Sequence, residues 1–257
     1  MLESFKRHWR EYLMEALGLA GFVLGAGCLA VFLEHPDFPA MRSSFGGEEN
    51  AIWRRVPLGL IMGAYIAVVI YLFGEKSGAH INPATTWAFF RLKKINFADS
   101  VFYTLAQFAG AIAAALTLKF TLGLWFAHPL INFGVTKPMP LHNSLSAFVA
   151  EFIISFVLMF VVLIFISSKR LEKYAAVVAG VLIALYLIVE LPFSGMSLNP
   201  ARSFAAAFAA NEWKHLWIYF VAPPVAMLLA AEIFERTKKT ILLTIVDKEL
   251  PDYPKED

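Results

Sequence analysis

The chain has 257 residues, 59% of them hydrophobic and 16% charged, with a formal net charge of +2 and one cysteine. Soluble domains hold about 45–50% apolar and about 25% charged residues, so this composition, with a mean hydropathy of +0.63, needs lipid as its solvent. The near-neutral balance gives no argument for nucleic acid, and Cys28 alone excludes an intrachain disulfide or a cysteine-based metal cluster.

In chain order, six apolar runs meet or approach the roughly 20 residues that cross a bilayer core of about 30 Å as helix. The first, Tyr12–Phe32, is too long for a signal-peptide core and lacks a clear cleavage site, so it reads as a retained span. Cys28 within it, beside Gly27, reads as a helix-packing residue. Val56–Gly74 is the second run and Val101–Leu118 the third. Between them lies Ser77-Gly78-Ala79-His80-Ile81-Asn82-Pro83-Ala84, followed by a stretch too short to span. The stretch from Gly123 to Asn143 then connects two halves. Leu145–Ile166 and Ala175–Leu191 are runs four and five, and Leu216–Ile233 is the sixth, with a kink expected at Pro223-Pro224. Between runs five and six the octapeptide returns as Ser194-Gly195-Met196-Ser197-Leu198-Asn199-Pro200-Ala201. An acidic tail, Asp247 to Asp257, closes the chain.

The order helix, helix, half-helix, helix therefore occurs twice, over 11–122 and 144–236, with 237–257 as a tail, all within a single domain of 1–257. Three spans per half is an odd number, so the second half enters from the opposite face and the repeat is inverted. The fold expected is all-α, with six transmembrane helices and two re-entrant half-helices meeting near the midplane. Lys6, Arg7, Arg10, Arg91, Lys93, Lys94, Lys169, Arg170, Lys173, Arg236, Lys238 and Lys239 fall on one side of such a chain. That side is expected to be cytoplasmic and to hold both termini. Arg42, Arg54, Arg55, Lys137 and Lys214 fall on the other side, so the bias is incomplete.

Nonhelical backbone at membrane depth is tolerated only when buried in protein or lining a watery cavity. The residues before Asn82 and Asn199 are expected to be extended and to present carbonyls to one side. Each Asn should cap its half-helix, with Pro83 or Pro200 in the first turn where a missing N–H costs nothing. The Asn amides are then expected to donate to a passing solute. Two half-helix amino ends meeting at the midplane suit neutral dipolar solutes and oppose cations.

On these paired motifs the chain resembles the aquaporin, or major intrinsic protein, family from about Glu15 to Ile233. The resemblance implies one pore per protomer, usually in a homotetramer, carrying water or, as the alternative, small neutral solutes across the membrane lipid. It implies a cell membrane, plasma or inner, as the site, no cofactor and no metal. Asn82, Pro83, Ala84, Asn199, Pro200 and Ala201 match the family's pore motifs. Glu15, Glu151 and Gln107 match positions that support the motif-bearing loops, and His80 resembles a histidine of the cytoplasmic vestibule, with pore lining, pH gating or structural hydrogen bonding as its alternative roles.

The narrowest point is implied at Met62, Leu187, Met196 and Arg202, with Tyr186 in place of Leu187 if the count slips by one. Water-specific members usually place an aromatic residue and a histidine at the first two of these positions, and this chain has neither. Ser203, Ala207 and the Tyr219-Phe220 pair instead agree with water channels rather than glycerol facilitators. Met196 also stands where some members carry a mercury-sensitive cysteine. The expected function is a passive water channel that excludes ions and protons, the alternative being a channel for small neutral solutes such as glycerol. No hydrolase, metalloprotease or phosphate-binding signature points to an enzyme.

Overall fold

The computed structural model describes residues 1–47, 50–139 and 141–249, the last eleven of these by backbone alone. Eleven α-helices run through the described residues: α1 Leu2–Glu34, α2 Pro39–Ser44, α3 Ala51–Ser77, α4 Pro83–Arg91, α5 Phe97–Leu122, α6 Leu124–Ala127, α7 Ser144–Ser167, α8 Ala175–Val189, α9 Leu191–Ser194, α10 Pro200–Ala210 and α11 Leu216–Glu249. Short 3-10 turns at Asn132–Gly134 and Glu172–Tyr174 complete them, and no strand occurs among the described residues. Six helices are long and apolar enough to cross a membrane, namely α1, α3, α5, α7, the stretch Glu172–Val189, and α11 over Leu216–Lys238.

Local chemistry explains several boundaries. Asn96 caps α5 by accepting from Asp99 N at 2.9 Å, and Asn143 and Ser146 form a reciprocal capping box on α7. The helices extend beyond the apolar runs because polar ends continue into the interface, as Leu2–Arg10 does ahead of the first run. The chain breaks helical geometry once in α1, at His8. α11 runs on through Pro223 and Pro224 to Glu249, so the segment after residue 236 begins as helix. The acidic end lies outside the described side chains, and residues 250–257 lie outside the description altogether.

The halves map onto one another. α1 packs on α5 as α7 packs on α11, and each half-helix crosses over: α10 lies on α5 and α4 on α11. The halves meet where α3 crosses α8. Gly63 and Gly180, each nineteen positions before the Asn of its own copy, face each other there. A Cβ on Gly63 would lie 2.4 Å from Gly180 O, and one on Gly180 would lie 2.5 Å from Gly63 O. Lipid supplies little hydrophobic drive between helices, so backbone approach through small residues holds this crossing. Large apolar side chains such as Leu17, Leu60, Val68, Leu105, Ile153 and Val181 point outward. Cys28 also faces outward and is exposed, not packed inside as expected, because it lies off the stripe Glu15, Leu19 and Phe22 that faces the core.

Candidate pore at the paired Asn-Pro-Ala loops

The half-helices are nine and eleven residues long, about 14 and 16 Å at 1.5 Å per residue, or about half a bilayer core. Asn82 Oδ1 accepts from Ala84 N at 2.9 Å, and Asn199 Oδ1 accepts from Ala201 N at 3.0 Å and Arg202 N at 3.2 Å. Both asparagines thus cap their helices, with Pro83 and Pro200 next in line.

The segments before them are not extended. Ala79 and Ile81 take φ of 48° and 40°, and Met196 and Leu198 take 47° and 60°. Left-handed residues thus alternate, at the same offsets in both copies. Each costs an L-residue about 1–2 kcal/mol, so the surroundings must impose the conformation.

Two buried carboxylates impose it. Glu15 accepts from Ser77 Oγ at 2.7 Å, His80 N at 2.9 Å, Gln107 Nε2 at 2.9 Å, and Ile81 N. Glu151 accepts from Ser194 Oγ at 2.7 Å, Ser197 N at 2.6 Å and Leu198 N at 2.8 Å. Ser77 Oγ and Ser194 Oγ in turn each accept, at 3.1 Å, from the N–H two residues on. The Ser, the Gly in left-handed geometry and the Asn of the repeated phrase thereby each acquire a physical task. Tyr103 OH donates to Ser77 O at 2.8 Å, and Tyr219 OH donates to Ser194 O. These tyrosines lie 21 and 20 residues after their Asn, so the offset of Tyr219 carried to the first copy points to Phe102, and only the structure pairs Tyr103 with Tyr219. Tyr219 is fully buried in this supporting role, whereas Phe220 is exposed.

The two loops are tied to each other. Asn82 Nδ2 donates to Leu198 O, and Asn199 Nδ2 donates to Ile81 O, both at 2.8 Å. An amide carries two N–H donors, so one on each Asn is committed to this bridge rather than both being available to a solute. The carbonyls that receive these bonds belong to the left-handed residues Ile81 and Leu198.

Met62, Leu187 and Met196 are buried in one apolar cluster, with Met62 Sδ against Gly25. Arg202 is partly buried, and its Nη1 donates to Gly134 O at 2.7 Å. Tyr186 is half-buried, with an enclosed hydroxyl that makes no hydrogen bond among the described residues. His80 stacks on Phe89 with ring centroids 4.6 Å apart, and its Nδ1 lies 3.2 Å from Thr86 Oγ1. Thr86 also receives Gln107 Nε2 at 3.1 Å, which makes Gln107 a strut between Glu15 and the first half-helix. Beside this loop opens a cavity of about 620 Å³, lined by His80, Phe89, Tyr103, His8, Lys76 and Asp99 among others. There His8 Nδ1 lies 2.9 Å from Asp99 Oδ2, and Tyr12 OH donates to Oδ1 at 2.6 Å.

Glu190 was not legible as special. It caps the end of α8 beside Ser194 and Glu151, is buried, and neither carboxylate oxygen makes a hydrogen bond of ordinary geometry. After the second half-helix, Glu212 joins Asn132 and Lys137. Partial burial works against its charge, but the Asn132 hydrogen bond and the Lys137 ammonium outweigh this and hold its carboxyl below the usual range. Among the described residues, no cluster of three His, Cys, Asp or Glu is placed to hold a metal ion.

The family described as Major intrinsic protein matches residues 2–234. Aquaporin NIP3-1 of Oryza sativa subsp. japonica is 32% identical over 201 residues, covering 78% of this chain and 62% of that protein. Aquaporin-4 of Rattus norvegicus is 35% identical over 198 residues, covering 75% and 59%. The matched part of this chain thus spans about three-fifths of these curated relatives' length. The X-ray structure of the aquaglyceroporin from Plasmodium falciparum superposes with a TM-score of 0.75 at 21% identity, over 93% of this chain and 99% of that one, a likeness of fold. With six spanning helices, two crossed half-helices and a family match over nearly its whole length, the chain belongs to the major intrinsic protein family.

Proposed function

We propose that this chain is a passive membrane channel that conducts water down an osmotic gradient and excludes ions and protons. The observation that carries the reading is the reciprocal bridge of Asn82 to Leu198 O and Asn199 to Ile81 O. It sets two half-helix amino ends against each other in a buried, strained and fully braced loop pair. Such ends carry positive partial charge, so they repel cations and leave the free N–H of each Asn for a neutral solute. Arg202 adds a fixed guanidinium beside the path, aimed by Gly134 O. Solute passes Arg202, Met62, Leu187 and Met196, then Asn82 and Asn199, and leaves through the cavity beside His80. Glu15, Glu151 and Gln107 hold the loops without touching solute. The curated relatives carry aquaporin names, which supports a channel and not an enzyme.

One observation favours a second reading, a channel that also passes glycerol-sized neutral solutes. Three of the four narrow positions are apolar and two are thioethers, which adapt their shape and offer water no strong directional partner. Residues 1–257 form the channel domain, repeated over 11–122 and 144–236. Both termini face the cytoplasm in this reading, in a plasma or inner membrane, with four protomers per assembly.

Stopped-flow light scattering on liposomes holding the purified protein tests this. Rapid shrinkage after a sucrose jump and slow reswelling in glycerol are expected of a water channel. Rapid reswelling selects the second reading, and permeability equal to that of empty liposomes rejects both.

A further inference from the structure

We propose that Glu212 is a positioning residue for Arg202 and so a determinant of solute selectivity, acting through the loop 132–137. The inference rests on the reading of Arg202 as the guanidinium at the narrow point. Glu212 follows the second half-helix, outside the spans, and grips the loop at both ends. Asn132 Nδ2 donates to Glu212 Oε2 at 2.7 Å, while Lys137 Nζ lies 2.9 Å from Oε1 and 3.1 Å from Oε2. Between these anchors Gly134 presents the carbonyl that accepts Arg202 Nη1.

The loop does not hold that shape by its own preference. Asn132, Phe133 and Gly134 take φ of 45°, 54° and 69° in succession. Consecutive left-handed residues are disfavoured and persist where contacts over-determine them. Midway, Phe133 meets the Phe126 ring at 5.5 Å, and Thr136 Oγ1 lies 2.7 Å from Ser203 Oγ. The loop is also pressed on the second motif, since a Cβ on Gly195 would lie 2.8 Å from Lys137 N. Lys119 Nζ also lies over the Phe133 ring, 5.5 Å from its centroid, but Glu212 is the group that ties the two ends of the loop together, and through Gly134 O it sets where the guanidinium stands. His215, the other titratable group facing it with Lys137, is held below its usual range by burial and by Lys214.

The test measures the glycerol-to-water permeability ratio in liposomes for Arg202→Val, Glu212→Ala, Asn132→Ala, Lys137→Ala and Glu212→Gln. Freeing the loop lets the guanidinium swing from the path, so Glu212→Ala, Asn132→Ala and Lys137→Ala should each raise the ratio, by about threefold for Glu212→Ala. The Glu212→Ala, Lys137→Ala double variant should exceed Glu212→Ala by no more than measurement error, as residues of one network do not add. Glu212→Gln keeps one acceptor oxygen but loses the ion pair with Lys137, so its ratio should fall between wild type and Glu212→Ala, an order that a loss of general stability would not reproduce. A changed ratio in Arg202→Val with an unchanged one in Glu212→Ala overturns this inference and leaves the filter reading standing. An unchanged ratio in Arg202→Val overturns the filter reading and this inference with it. Should Glu212→Ala fail to fold, Asn132→Ala and Lys137→Ala decide in its place, and wild-type ratios in both overturn the proposal.

Discussion

A guanidinium and a carboxyl, both in the second half, show how single side chains act here. Arg202 has one N–H fixed on Gly134 O, and in the proposed reading its other donors meet the solute and its charge repels cations. Arg202→Val should therefore raise proton leak, measured with a pH-sensitive dye in liposomes, by about tenfold, the effect of removing about 1.4 kcal/mol of barrier. Water permeability should persist, and an unchanged leak would remove Arg202 from the charge barrier. Glu190 poses the opposite case, a buried carboxyl whose oxygens find no ordinary partner. Burying such a group costs about 1–3 kcal/mol. Glu190→Gln removes the ionisable charge, and its thermal midpoint in detergent should rise by about 2 °C, since 1 kcal/mol corresponds to about 2–4 °C at this size. A fall would show that the carboxylate is needed as such. Cys28 faces outward on α1, away from both motifs, and Met196 offers only a thioether. Mercury should accordingly leave water flux nearly unchanged, and strong block lost in Cys28→Ser would contradict that.

Among the elements, the crossing of α3 and α8 leaves no room for a larger side chain. With Gly63 and Gly180 in backbone contact, Gly180→Val would drive its side chain into the Gly63 carbonyl. Overpacking of a tight core costs about 1–3 kcal/mol, and here it would also part the two halves. The variant should lose most of its folded yield in size-exclusion chromatography, while Gly74→Ala, with only Ile70 Cγ2 near at 3.7 Å, should not. Equal yields would mean that the crossing can relax. The half-helices differ in kind from the spans, because their braces are polar and come from elsewhere: Glu15 and Gln107 for one, Glu151 and Tyr219 for the other.

Over the whole molecule, inversion explains why so few polar groups suffice. One arrangement of a Glu, a Ser, a Tyr and an Asn is used twice, and the two uses are joined by the reciprocal Asn bridges. The halves also depart from this pseudo-symmetry. Arg202, the loop 132–137, Glu190 and Glu212 stand beside the second motif alone, and Gln107 and His80 beside the first. Outward-facing leucines, valines and isoleucines cover the remainder, as a lipid environment requires.

The amino-acid sequence by itself determined the class, the six spans, the inversion and the capped half-helices. Hydropathy runs and Asn-Pro starts are local signals, readable without knowing what packs where. The pairing of Glu15 and Glu151 with the motif loops came from resemblance, and Tyr103 was not legible, since its offset from Asn82 differs by one from that of Tyr219 from Asn199. Only the tertiary structure decided the rest. The loops before Asn82 and Asn199 alternate left-handed instead of running extended, because carboxylates 66 and 47 residues away bind their N–H groups. The Asn amides spend one donor on carbonyls 116 and 118 residues away. Such bonds join residues with no shared period or spacing, so no pattern along the chain records them. They exist only once inverted halves have brought their buried polar groups to the same depth.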